Sequence, residues 1–127
     1  MIRILIVSTD KDSLGSLKAG LEENNVQISW AEACDTVLSR TKEEAFDLII
    51  ADEMLSDMKG LECIEKLVSS NPFLNCAAIG SLSSGDFHEA SEGLGVLMQL
   101  PAKSEKKDVE KLLEHLKNIL NVTKGTS

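Results

Sequence analysis

Short aliphatic runs with almost no polar alternation set the strongest limit on what this chain can fold into. Ile2 to Val7 is interrupted only by Arg3, Leu48 to Ala51 and Cys76 to Ile79 are unbroken, and Val96 to Leu100 is interrupted only by Gln99. A strand with one wet face alternates apolar and polar residues, whereas a run without alternation is covered on both faces, as in a parallel sheet flanked by helices. The run at 48–51 leads straight into Asp52. In open α/β sheets ligands bind outside the carboxyl ends of the strands, so Asp52 is a candidate for chemistry.

Helical stripes separate these runs. Leu14, Leu17 and Leu21 recur at helical spacing over 12–23, with Thr9, Asp10 or Asp12 available as N-cap and Asn24-Asn25 as a stop. Val26-Gln27-Ile28-Ser29-Trp30 alternates and therefore predicts an edge strand. A short second helix is expected over 33–44. A third is expected from Leu61 through Ile64, Leu67 and Val68 to a stop at Asn71-Pro72. Ser83-Ser84-Gly85-Asp86 signals the start of a fourth helix carrying Phe87, Ala90 and Leu94, ended by Gly93 and Gly95. Pro101 stops the fifth strand. Val109, Leu112, Leu113, Leu116, Ile119 and Leu120 then form the clearest amphipathic stripe in the chain.

Strand and helix thus alternate five times. Fold rules turn that order into a three-layer α/β sandwich, a parallel sheet with right-handed crossovers and helices on both faces. One domain over 1–121 is expected, followed by a loose tail at 122–127.

Composition narrows the function classes. The 127 residues are 43% hydrophobic, sufficient for a core, with a formal net charge of −8. Such acidity argues against a nucleic-acid surface, because phosphate neutralisation needs clustered Lys and Arg. Lys103, Lys106, Lys107 and Lys111 alternate with Glu105, Asp108, Glu110 and Glu114, the pattern of a solvated helix face. No run approaches the roughly 18 to 20 apolar residues of a membrane span, and the first strand begins at once, so a cytoplasmic location without membrane contact is expected. Cys34, Cys63 and Cys76 are odd in number, widely spaced and apolar in setting, and are expected to be buried free thiols. His88 and His115 stand alone in sequence. Met54, Met58 and Met98 read as packing residues.

Four loops should converge at one sheet edge: Ser8-Thr9-Asp10, 52–60, Gly80-Ser81 and Leu100-Pro101. At this point the chain resembles the response-regulator receiver domain of two-component signalling over essentially its whole length. The resemblance rests on the 47–52 strand ending in Asp52, on Met58 and Gly60 downstream, and on Pro101 one residue past the fifth strand. It implies the flavodoxin-like strand order 2-1-3-4-5 with five helices, and Asp52 at the phosphoacceptor position. In that family two acidic residues after the first strand help hold Mg²⁺, while a Thr or Ser and a Lys contact the phosphoryl group.

Carried over residue by residue, only Asp52 keeps its identity. Ser8 and Thr9 stand where the acidic pair belongs, with Asp10 one place further on. Gly80 falls on the hydroxyl position beside Ser81, Leu100 replaces the lysine, Ser56 occupies the usual proline position and Lys59 replaces the aspartate before Gly60. The aromatic switch position of the fifth strand falls near Leu97. The remaining pocket would be Ser8, Thr9, Asp10, Met54, Gly80, Ser81, Leu100 and Pro101 around Asp52. Mg²⁺ favours carboxylate and water oxygens in octahedral geometry, so Asp52 with Asp10 would be a weak metal site and no tightly bound cofactor is expected. For Asp10 a helix cap is favoured over a metal ligand.

Three function classes follow. A receiver phosphorylated slowly or with a partner's help would work with a histidine kinase or another signalling protein. A phosphorylation-independent pseudo-receiver would act as an adaptor through its fourth helix, fifth strand and fifth helix. An enzyme or nucleotide binder is disfavoured, because the chain has no Gly-rich dinucleotide fingerprint and no Walker-type Gly-Lys-Ser/Thr.

Overall fold

A computed structural model describes residues 2–101 and 103–124. Five strands, β1 (Ile2–Val7), β2 (Val26–Ala31), β3 (Leu48–Ala51), β4 (Cys76–Ile79) and β5 (Val96–Leu100), alternate with α1 (Gly15–Glu22), α2 (Cys34–Glu43), α3 (Gly60–Ser70), α4 (Ser84–Ser91) and α5 (Lys106–Lys124). All pairings are parallel, in the order β2-β1-β3-β4-β5. This is the three-layer sandwich expected from the alternation of strands and helices, in the flavodoxin-like order that the resemblance implies.

The unalternated runs bury both faces of the central strands. Ile4, Ile6, Leu48, Ile50, Ala77, Ile79 and Leu100 pack with Leu17 and Leu21 of α1 and Leu112 and Leu116 of α5. The intervening Leu5, Val7, Ile49, Ala51, Cys76 and Ala78 pack with Cys34 and Val37 of α2 and Cys63, Ile64 and Leu67 of α3. Successive strand residues therefore serve opposite layers, as the two-residue period of a strand requires. β2 lies at the rim with Gln27 exposed, in keeping with its alternating sequence.

Several boundaries differ from the sequence-based expectation for local physical reasons. The first helix opens with a 3-10 turn at Asp12–Leu14. α4 stops at Ser91, where the Ser91 hydroxyl donates to the Phe87 carbonyl at 2.7 Å, and Gly93 and Gly95 follow with φ of 81° and 68°. The two glycines take the left-handed backbone that ends the helix. α5 continues to Lys124, into the segment expected to be a tail, and residues 125–127 lie outside those described.

The cysteine expectation is corrected at two of three positions. Cys34 and Cys63 form a disulfide across a sequence separation of 29, with Cα atoms 5.5 Å apart, whereas Cys76 is a buried free thiol. Spacing concealed the pair because the starts of α2 and α3 meet only after both helices have packed on one sheet face. Burial pushes the Cys76 thiol up to about 12.

Candidate functional site

Strand register determines which side chains gather at the carboxyl edge. Val7 pairs with Ala51, Ala51 with Ala78, and Ile79 with Leu100. One step further along, Ser8 and Asp52 follow on the face that carries Ile79 and Leu100, so these four residues form a row across the sheet. A register shift between β4 and β5 gives β5 one extra residue ahead of Gln99, which pairs with Ala78 and therefore serves the opposite face.

Asp52 is held by hydrogen bonds at both carboxylate oxygens. The Ser8 hydroxyl donates to Oδ2 at 2.7 Å and the Glu53 N–H donates to Oδ1 at 2.8 Å. Ser8 is wholly buried, and its oxygen also accepts from the Asp10 N–H at 2.9 Å. The carboxylate is half-buried, so these charge-assisted bonds fix its orientation more firmly than they would in open water.

The loop after Asp52 folds back onto it. Met54 and Lys59 form an antiparallel bridge, the Leu55 N–H donates to the Met58 carbonyl at 2.8 Å, and the Gly60 N–H donates to the Glu53 carbonyl at 2.9 Å. This return brings Gly60 so close that a Cβ there would lie 1.9 Å from the Asp52 carbonyl oxygen. Glycine is thus required by proximity at this position.

Gln99 fixes the facing loop. Its amide nitrogen donates to the Leu82 carbonyl at 2.9 Å, and its carbonyl oxygen accepts from the Leu82 N–H at 3.2 Å. A Cβ on Gly80 would approach the Gln99 oxygen to 2.7 Å, so the glycine makes room for the clamp. Between the two loops a cavity of about 320 Å³ opens beside Asp52, with Lys59, Leu61, Leu82, Phe87 and Gln99 in its walls. Met54 and Leu82 are exposed at this cavity.

The remaining sequence candidates take separate positions. Thr9 and Ser81 are exposed, Pro101 is exposed with its carbonyl accepting from the Ser104 hydroxyl at 2.7 Å, and Leu100 is wholly buried. Asp10 accepts from the Ser13 N–H through Oδ1 at 3.2 Å, whereas the residue that precedes the 3-10 turn at Asp12–Leu14 is Lys11. Gln99, Lys59 and Phe87 are pocket residues that sequence reasoning misses. The apolar-polar break at Gln99 within an otherwise aliphatic strand is the available signal for the first of them.

The donor set does not fit the family's Mg²⁺. Asp52 brings one carboxylate with both oxygens bonded, Asp10 turns to a helix start, and Ser8 spends its proton on Asp52. Among the described residues no three His, Cys, Asp or Glu side chains are grouped to hold a metal ion.

The profile of the response regulator receiver domain matches residues 4–117. The chain belongs to that family. It is 30% identical over 81 residues to the autoinducer 2 sensor kinase/phosphatase LuxQ of Vibrio vulnificus, a match covering 61% of this chain and 10% of that protein. It is 32% identical over 65 residues to the nisin biosynthesis regulatory protein NisR of Lactococcus lactis, covering 51% of this chain and 28% of that protein. The chain thus matches a tenth to somewhat over a quarter of these relatives' lengths. A CheY-like response regulator receiver domain from Methanospirillum hungatei superposes with a TM-score of 0.78 at 28% identity, over 93% of this chain and 95% of that one.

As a receiver domain of two-component signalling, the chain falls in a family that works with histidine kinases. No described helix is long and apolar enough to cross a membrane.

Proposed function

We propose that this receiver domain acts by binding signalling proteins without Mg²⁺-dependent phosphorylation, with Asp52 kept as a hydrogen-bonded anion at the phosphoacceptor position. The Ser8 to Asp52 bond at 2.7 Å carries this reading. A carboxylate attacking a phosphoryl dianion needs positive charge to offset repulsion. Here the position of the metal-binding acid holds a neutral donor, and Leu100 at the lysine position is buried in the core between the sheet, α1 and α5. Loss of a single well-aimed charge-stabilising donor costs about 10²- to 10³-fold in rate, and several are altered together.

The partner is a histidine kinase or another signalling protein, and the contact face is α4, β5 and α5. Lys103, Lys107 and Lys111 are exposed in or just before α5 and Lys106 borders the groove toward Gly20 and Glu23, whereas Phe87 lines the cavity and Met98 packs partly against the core.

Beryllofluoride with Mg²⁺, followed by amide NMR, tests the proposal, alongside intact mass after exposure to acetyl phosphate. Unchanged signals at Asp52, Gly80 and Leu100 and no phosphoryl adduct are expected. A stoichiometric adduct that Asp52→Asn abolishes would replace this reading with that of a working phosphoacceptor.

A further inference from the structure

The β3–α3 loop is fastened to the start of α2, and that same point is fastened covalently to α3. Asp57 accepts the Cys34 N–H through Oδ1 at 2.8 Å and the Asp35 N–H through Oδ2 at 3.2 Å. The Ser56 N–H donates to the Glu32 carbonyl at 3.0 Å. Cys34 is the first residue of α2, and its disulfide partner Cys63 lies in the first turn of α3. α2 has only two fully buried side chains, Cys34 and Val37. The covalent bond joins the packing of Val37 and Leu38 and the Arg40 bond to the Trp30 carbonyl in anchoring this helix, and through Asp57 its first turn in turn anchors the loop, with Ser56 held to Glu32 just ahead of the helix.

From this arrangement we propose that Cys34 and Cys63 are a redox-active pair, oxidised by small disulfides and reduced by dithiols, whose state governs the mobility of the 52–60 loop beside Asp52. In oxidation one cysteine thiolate attacks a sulfur of the small disulfide, forming a mixed disulfide and releasing one small thiolate. The second cysteine thiolate then attacks the protein sulfur of that mixed disulfide and expels the other small thiolate. The two protons lost by the cysteines pass to the two released thiolates. Two cysteine thiols are oxidised and one small disulfide is reduced.

Both sulfurs belong to fully buried residues, so exchange requires the first turn of α2 to open and Asp57 to release both N–H groups. Opening of this kind is a local unfolding event that leaves the central strands in place. The third thiol does not compete: Cys76 sits on β4, and its burial keeps it protonated. Met54 and Lys59 belong to the tethered loop and line the cavity, so a change at the disulfide is transmitted to that cavity's edge. The inference is independent of whether Asp52 accepts a phosphoryl group.

The test compares the full chain after glutathione disulfide with the same chain after dithiothreitol. Alkylation in denaturant should label Cys76 alone in the first sample and all three cysteines in the second. Hydrogen exchange at the amides of Cys34, Asp35 and Ser56 should quicken by about tenfold or more on reduction, with a much smaller change in β1 and β3. Cys76→Ser should retain that response, and Cys63→Ser should show the reduced pattern under both treatments. Should Cys63→Ser fail to fold, the reduced wild-type chain supplies the same comparison. Three alkylated cysteines after glutathione disulfide would overturn the proposal, as would a disulfide whose reduction leaves exchange at those amides unchanged.

Discussion

Replacing Gly60 by alanine tests the closest approach in the site. The added Cβ would stand 1.9 Å from the Asp52 carbonyl oxygen and 3.0 Å from its carbonyl carbon, against a floor near 3.0 Å for real Cβ contacts. The obstacle is backbone, so no side-chain rotation relieves it. One of the two segments must retreat by about 1.1 Å, the distance from that approach to the 3.0 Å floor. Moving Gly60 away stretches its 2.9 Å bond to the Glu53 carbonyl beyond hydrogen-bonding range. Moving Asp52 instead breaks its N–H bond to the Val7 carbonyl or displaces its carboxylate from Ser8. Either path loses a partly buried hydrogen bond, at about 1–3 kcal/mol, and adds backbone strain of about 1 kcal/mol. Gly60→Ala is therefore expected to destabilise the domain by about 2–4 kcal/mol in urea-induced unfolding. Gly85→Ala is the control, because nothing lies within 4 Å of its Cβ position and it sits inside α4. That change should stabilise by roughly 0.5–1 kcal/mol. A Gly60→Ala midpoint matching wild type, with an unchanged slope, would refute the steric reasoning.

Ser8→Ala removes the donor to Asp52 and the acceptor of the Asp10 N–H from a fully buried position. It should cost about 1–3 kcal/mol, and a double-mutant cycle with Asp52→Asn should show coupling of at least about 0.5 kcal/mol. For Asp57, the Cys34 N–H is the leading influence holding its carboxyl below the ordinary value of 3.8, with the Asp35 N–H adding to it. The folded-state value is thus the lower one, so its stabilisation is present above the unfolded value and is lost as pH falls through the folded one. Unfolding midpoints recorded from neutral to strongly acidic pH should show Asp57→Asn flattening that acid limb; an identical pH profile would contradict this. Cys63→Ser removes a cross-link with sequence separation 29, for which chain entropy gives a loss of about 3–4 kcal/mol under oxidising conditions. Denaturant midpoints equal in the variant and the oxidised wild type would rule out that contribution.

Legibility in the sequence follows the range of the interaction concerned. The unalternated runs ending at Val7, Ala51 and Ile79 locate buried strands because both faces of each strand have to be covered. The alternation in Val26 to Trp30 locates the rim for the converse reason. Asp52 is legible because strand ends and loops converge predictably in this architecture. The groups that determine its behaviour are harder to read. Sequence position alone sets Ser8 where a metal-binding acid would stand, whereas in the fold it is a hydrogen-bond donor to Asp52. Asp57 caps a helix that begins 23 residues earlier in the chain, and Gln99 holds a loop 17 residues earlier. Neither pairing leaves a periodic trace, since each depends on how separate loops meet after the sheet has formed.

The departures at the carboxyl edge are physically consistent with one another. A half-buried carboxylate needs donors, and Ser8 and Glu53 supply them without adding charge. Leu100 extends the packed face from Ile79 to α1 and α5. The adjacent Gln99 then faces the other layer, where its amide satisfies both backbone groups of Leu82 and Gly80 leaves room for it. Reversing one element alone would leave the others unmatched: an aspartate at position 8 would face Asp52 with a second negative charge and no proton to donate. On the proposed function, metal-dependent chemistry would need coordinated change at positions 8, 9 and 100, and a single substitution such as Ser8→Asp is expected to lower the urea midpoint without yielding a phosphoryl adduct by intact mass after exposure to acetyl phosphate.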